Sequence, residues 1–270
     1  MRHTATALIT AGLMFTVTAA AIAQQTPTPV PPTATPKPPA AAPTPSPAER
    51  LADRAIALLA GWKVKAAENL LAANEQEFGT TSEYRTALGY LRAAQGKWEE
   101  ATGLLRGAAT AKPADPAPQY YLGESMNWRQ KPADADTAWK AATTRATAQV
   151  EALPTDARAQ YYLGAAKARL KQFAQARTAL EAARSAGFDP VLADYQTGFS
   201  YILEDKWQQA VDWFNKVIAT DAKFAHAYFY RGLAYGKLDR KDRMLVDMDL
   251  FVKLAPSAPE ATIARLYLQR

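Results

Sequence analysis

Apolar residues recur at three- and four-residue steps along most of this chain, interrupted by short polar turns, and that spacing predicts amphipathic helices. Between Ser82 and Asp115 it reads as two helices back to back. The first puts Ala87, Leu88, Leu91 and Ala94 on one side and turns at Gln95-Gly96-Lys97. The second runs from Trp98 through Ala101, Leu104, Leu105 and Ala108 and stops before Pro113, since proline lacks the backbone donor a helix needs. Small residues at Gly89, Ala101 and Ala108 let the two backbones approach. Such a unit has an apolar face it cannot cover alone, so it must stack on copies of itself.

The copies are in the sequence. Leu88-Gly89 recurs as Leu122-Gly123 after 34 residues, as Leu163-Gly164 after 41, then at 34-residue steps as Thr197-Gly198 and Arg231-Gly232. The small residue that opens the second helix keeps the same step as Ala101, Ala135, Ala176 and Ala210, with Met244 in the last copy. Four places on stand Leu105, Trp139, Leu180, Phe214 and Met248, and three further Ala108, Ala142, Ala183, Val217 and Phe251.

On these anchors the chain resembles the tetratricopeptide repeat (TPR) family, with its 34-residue helix-turn-helix in the order Leu-Gly, Ala, large apolar, Ala, Pro. The resemblance covers residues 48–258 and implies an all-α solenoid of tandem helix pairs wound into a right-handed superhelix. Six repeats are expected at 48–81, 82–115, 116–149, 157–190, 191–224 and 225–258, followed by a capping helix at 259–270. The first is degenerate, with Ala55 at the glycine position and Asn74 at the last small position. Residues 150–156 are an insertion, so the third repeat's second helix should run on to about Ala152 before Pro154 breaks it. The cap carries Ile263, Leu266 and Leu268 as its apolar residues.

Upstream, the composition changes twice. Residues 1–23 have Arg2 and His3, an uncharged apolar run and an Ala21-Ile22-Ala23 end, the form of a cleaved secretory signal peptide. An uncleaved anchor is the alternative, because the run lies near the lower limit for spanning a bilayer. With no cysteine in the chain, lipid attachment through a thiol is excluded. Residues 24–47 form a Pro/Thr/Ala-rich linker, and 26–47 hold ten of the 18 prolines and a single charge, Lys37. As polyproline II, at about 3.1 Å per residue, that stretch would reach about 70 Å. The repeat domain, 48–270, is thus expected outside the cytoplasm, periplasmic or extracellular, without stable membrane insertion once the signal is removed.

Composition narrows the function. Without the leader the chain has 31 basic and 26 acidic residues in mixed-sign segments, and no basic stripe interleaved with aromatics, so nucleic acid is not an expected partner. With His3 lost, His226 is the one histidine, which rules out multi-histidine zinc sites and leaves a solvated or hydrogen-bonded bystander as its expected role. Gly232-Leu-Ala-Tyr-Gly236-Lys237 has the wrong glycine spacing for a phosphate loop. Glu99-Glu100 reads as a solvated helix face. We therefore expect no catalytic residue, no metal and no cofactor.

What remains is the concave face, which in the family is lined by the first helix of each repeat. By register this face is Tyr90 in the second repeat, and Tyr120, Glu124, Asn127 and Trp128 in the third. It continues with Arg158, Tyr161 and Arg169 in the fourth, Tyr195 and Phe199 in the fifth, and Phe229 in the sixth. The i, i+4, i+7 spacing puts each set on one side of its helix. This aromatic ladder has two readings: a groove for a peptide or partner helix, or rings that pack between neighbouring first helices. The family's carboxylate-gripping version is not matched, since position by position the groove offers Tyr, Glu, Ala and Phe. The sequence thus predicts an exported, non-enzymatic scaffold that binds a protein or peptide, with an envelope glycan-binding accessory as the alternative.

Overall fold

A computed structural model describes residues 44–269. The expected leader, residues 24–43 of the linker, and Arg270 lie outside the described residues. Among the described residues there are α-helices and no strands.

The first repeat is α1 (Pro47–Ala60) and α2 (Val64–Ala72), followed by a one-turn helix, α3 (Glu75–Phe78). The pattern of six pairs and a cap did not include α3. Asn74 explains it: its side-chain amide donates to the Leu70 carbonyl at 2.8 Å, competing with the helical ladder where the other repeats carry an apolar residue. Five regular pairs follow. They are α4 (Ser82–Ala94) with α5 (Trp98–Ala111), α6 (Ala117–Trp128) with α7 (Pro132–Ala152), and α8 (Ala157–Arg169) with α9 (Phe173–Ser185). Then come α10 (Pro190–Leu203) with α11 (Trp207–Thr220), α12 (Ala225–Lys237) with α13 (Lys241–Leu254), and a last helix, α14 (Glu260–Leu268). The insertion extends α7 to 21 residues, ending at Ala152.

Each pair is held by the small-against-large contact that the spacing predicts. Ala101, Ala135, Ala176 and Ala210 are fully buried, and each repeat glycine faces the large residue of its partner helix. At Gly164 an added Cβ would lie 2.6 Å from Leu180 and 2.8 Å from the Ala176 carbonyl oxygen, so a methyl group there would force the helices apart. The turns repeat too. Trp62, Gly96, Gln130, Lys171, Asp205 and Asp239 have φ of 60°, 74°, 57°, 60°, 58° and 56°, stepping through the chain with the period of the repeats. In each turn the next residue's N–H reaches back five positions, as Lys97 does to the Arg92 carbonyl, the bond that a left-handed helix terminus creates.

First helices touch one another in succession, from α1 to α4, α6, α8, α10 and α12, while second helices touch their own partner and the next first helix. First helices therefore form the inner wall. This wall closes on itself. The N–H of Ala225 at the start of α12 donates to the Gly61 carbonyl at 3.3 Å, Lys63 pairs with Asp221 at 2.6 Å, and His226 Nδ1 donates to the Ala60 carbonyl at 2.8 Å. Trp62 enters the core of the last repeat, in one cluster with Phe229, Met248 and Phe251. The far end is different. Helix α14 buries Ala261 and Ala264, and the cap's conspicuous apolar residues, Ile263, Leu266 and Leu268, are exposed.

Candidate partner-binding face

The inner wall is packed rather than open. Tyr120 and Tyr161 are each 1% exposed, and Tyr195, Glu124 and Phe229 are also buried. Tyr161 stacks on Phe188 with centroids 4.3 Å apart, Tyr195 lies 4.9 Å from Phe224, and the Tyr120 hydroxyl accepts from Gln196 at 3.2 Å. Burial pushes the phenols of all three tyrosines well above their usual pKa. They do not meet solvent, so the expectation that they line an accessible groove is corrected: for these rings the packing reading holds.

Two of the expected charges are spent inside the wall. Arg169 grips Glu124 with two hydrogen bonds, 2.7 Å from Nε and 2.6 Å from Nη2, and Trp139 Nε1 donates to the same carboxylate at 3.1 Å. Burial acts to lower the Arg169 pKa, but the Glu124 charge outweighs it and holds the guanidinium well above its ordinary value. Removing either partner would leave a buried charge alone, which typically costs about 3–5 kcal/mol. Arg158 is elsewhere, beneath the N-terminal ends of the inner helices, bonded to Asp115 at 2.9 Å and Asp53 at 3.2 Å. Phe229 packs on Phe251 in the last repeat, centroids 4.9 Å apart, and not on the shared inner surface.

What stays within reach of solvent is a rim. Tyr90, Trp128, Arg169 and Phe199 are half-buried and Asn127 is exposed. Tyr90 and Trp128 stack at 5.7 Å with planes 18° apart, the Arg169 guanidinium lies 4.1 Å over Phe199, and Phe199 meets Tyr230 edge-on at 4.9 Å. Below it sits a cavity of about 50 Å³, lined by Tyr90, Tyr120, Glu124, Trp128, Arg169 and Tyr230 among others. That volume suits one or a few waters, not a peptide side chain.

The sequence matches no protein-family model and no curated protein. Among solved structures, a thermophilic TPR protein of Thermus thermophilus is similar over 70% of this chain and 100% of its own, at 18% identity and a TM-score of 0.55. YrrB, a TPR protein with an unusual peptide-binding site, is similar over 73% of this chain and 97% of its own, at 17% identity and a TM-score of 0.37. MamA from Desulfovibrio magneticus is similar over 64% of this chain and 92% of its own, at 22% identity and a TM-score of 0.38. The first of these likenesses, with the helix pairs and their recurring glycine contacts, decides the fold. The chain has the fold of a TPR solenoid.

Within this array, sequence reasoning overlooked residues that build the inner face. Tyr121 and Tyr162 are buried beside Tyr120 and Tyr161, and Tyr120 lies 5.8 Å from Tyr162. A signal existed: Tyr120-Tyr121 and Tyr161-Tyr162 are the same tandem in register. Tyr230 follows Phe229 in that same register, whereas Trp62 gave no signal, because it acquires its role from the last repeat. Of the two roles expected for His226, solvated or hydrogen-bonded, the second is observed: it is buried at the ring closure, with Glu260 at 3.6 Å from Nε2.

Proposed function

We propose that the chain is an exported, non-enzymatic TPR scaffold of the cell envelope that binds a protein or peptide partner through the rim formed by Tyr90, Trp128, Arg169 and Phe199. The supporting observation is that these are the inner-face side chains left half-exposed after Tyr120, Tyr161 and Tyr195 have been packed away. Rigid aromatic plates beside a preorganised guanidinium are the residue types on which binding energy concentrates. Export rests on the leader's charged start, apolar run and Ala-Ile-Ala end.

Trp128→Ala and Phe199→Ala are each expected to weaken partner capture from envelope extract at least tenfold, with helix content by circular dichroism unchanged. Sedimentation with peptidoglycan, run in parallel, separates the glycan alternative, which the half-exposed Trp128 ring would also serve. If both variants capture the same partners as the parent, the rim is structural and the reading fails.

A further inference from the structure

Each first helix packs against the second helix of the repeat before it. Val211 on α11 shows the outcome: with α12 packed on α11, Val211 is 2% exposed. Leu245 holds the same register position one repeat later and is 37% exposed. The helix that follows it, α14, has nine residues, whereas α12 has 13. The part left uncovered is a groove of about 530 Å³ lined by Leu233 and Gly236 of α12, Met244 and Leu245 of α13, Tyr267 of α14, and Lys237 and Lys241.

We propose that this groove docks an amphipathic helix of a partner protein, apolar toward Leu233, Met244, Leu245 and Tyr267 and acidic where it meets Lys237 and Lys241. This surface goes beyond the rim and shares no residue with it. Three features select the occupant. The slot is the place where the solenoid would seat its next first helix, so its walls already have the shape a helix fills. Gly236 keeps the floor low, since a Cβ there would come within 2.8 Å of the Met244 sulfur. The two charged side chains in the lining are both lysines, ending α12 and opening α13, which favours carboxylates and disfavours basic helices. A second copy of the chain is a poorer fit, because a two-fold contact sets each surface against itself and would bring two pairs of lysines together.

The test selects binders to the full chain from a display library of randomised 14-residue helical peptides and measures the enriched sequences by fluorescence anisotropy. The proposal expects apolar residues at i, i+3 or i+4 and i+7, with carboxylates at one end. Lys237→Glu combined with Lys241→Glu, both exposed and away from the core, should weaken these peptides at least tenfold, as should Leu245→Asp. Trp128→Ala should leave them unaffected, which separates this groove from the rim. Several results would overturn the proposal: no enrichment, enrichment of basic or non-periodic peptides, or binding unchanged in both the lysine and leucine variants. So would a parent chain that dimerises by light scattering and becomes monomeric with Leu245→Asp, since the occupant would then be a second copy.

Discussion

At one end of the array, the turn after α1 drives Trp62 into the core of the last repeat; at the other, α13 leaves Leu245 facing solvent beside a shortened helix. Both ends begin with the same problem, an apolar stacking face with no neighbour. The N-terminal end solves it by closure, packing the first turn of chain against the sixth repeat. The C-terminal end is covered by α14 over part of its width. The difference shows that the two ends of a repeat stack need not be capped alike, and that capping by closure has a structural consequence: the inner face becomes core. Tyrosines that would line an open groove instead pack against one another, and the surfaces left for partners are the rim and the uncovered slot.

The largest expected effect breaks the closed end. Trp62 is buried, edge-on to His226 at 5.4 Å, with its indole N–H toward the Ser257 hydroxyl at 3.5 Å. Trp62→Ala removes that plug, and truncation of a buried tryptophan typically costs about 3–5 kcal/mol. Urea unfolding should show a loss of that order, and small-angle scattering a larger radius of gyration as the first repeat swings free. A loss under about 1 kcal/mol with no expansion would mean that the ends are not held by this residue.

How much of this was legible beforehand follows from which interactions are local. The glycine facing Leu180 and the alanine at 176 belong to one helix pair, so a 34-residue spacing reveals them, and the register of Ala101, Ala135, Ala176 and Ala210 is read directly from the chain. The side of each first helix that faces inward is also local, a matter of i, i+4, i+7. The radius of the inner wall is not. It accumulates from small rotations between successive repeats, and no spacing records whether Tyr161 meets solvent or Phe188. The contact between Lys63 and Asp221 spans most of the array and leaves no periodic trace. The cap misled for a related reason: Ile263, Leu266 and Leu268 are the conspicuous apolar residues of α14, yet the close approach to α13 selects the small Ala261 and Ala264 for the contact.

A matched pair of truncations sharpens the contrast between covered and uncovered slots. Val211→Ala removes two methyl groups from a site closed by α12 and should cost about 2 kcal/mol. Leu245→Ala removes more carbon from the equivalent position but from a partly solvated one, and should cost less than about 1 kcal/mol. Chemical denaturation of both variants under one set of conditions decides it. Equal losses would show that α14 covers Leu245 as fully as α12 covers Val211, and the slot would not be open.

The smallest effect separates backbone geometry from its use. Trp62 and Lys171 occupy the same turn position with the same φ of 60°, yet one ring is buried in the closure while the other side chain is exposed. A left-handed conformation costs a residue with a Cβ about 1–2 kcal/mol, and glycine avoids that strain while adding roughly 0.5–1 kcal/mol of unfolded-chain entropy. At Lys171, where no packing is lost, Lys171→Gly should therefore stabilise the protein by about 0.5 kcal/mol or somewhat more, as Gly96 already does in the second repeat. Trp62→Gly relieves the same strain but should still be destabilising by several kcal/mol, because the strain there supports the contact that shuts the ring. If both glycine variants shifted the urea midpoint in the same direction, the left-handed turn and not the indole would be what matters at the closed end.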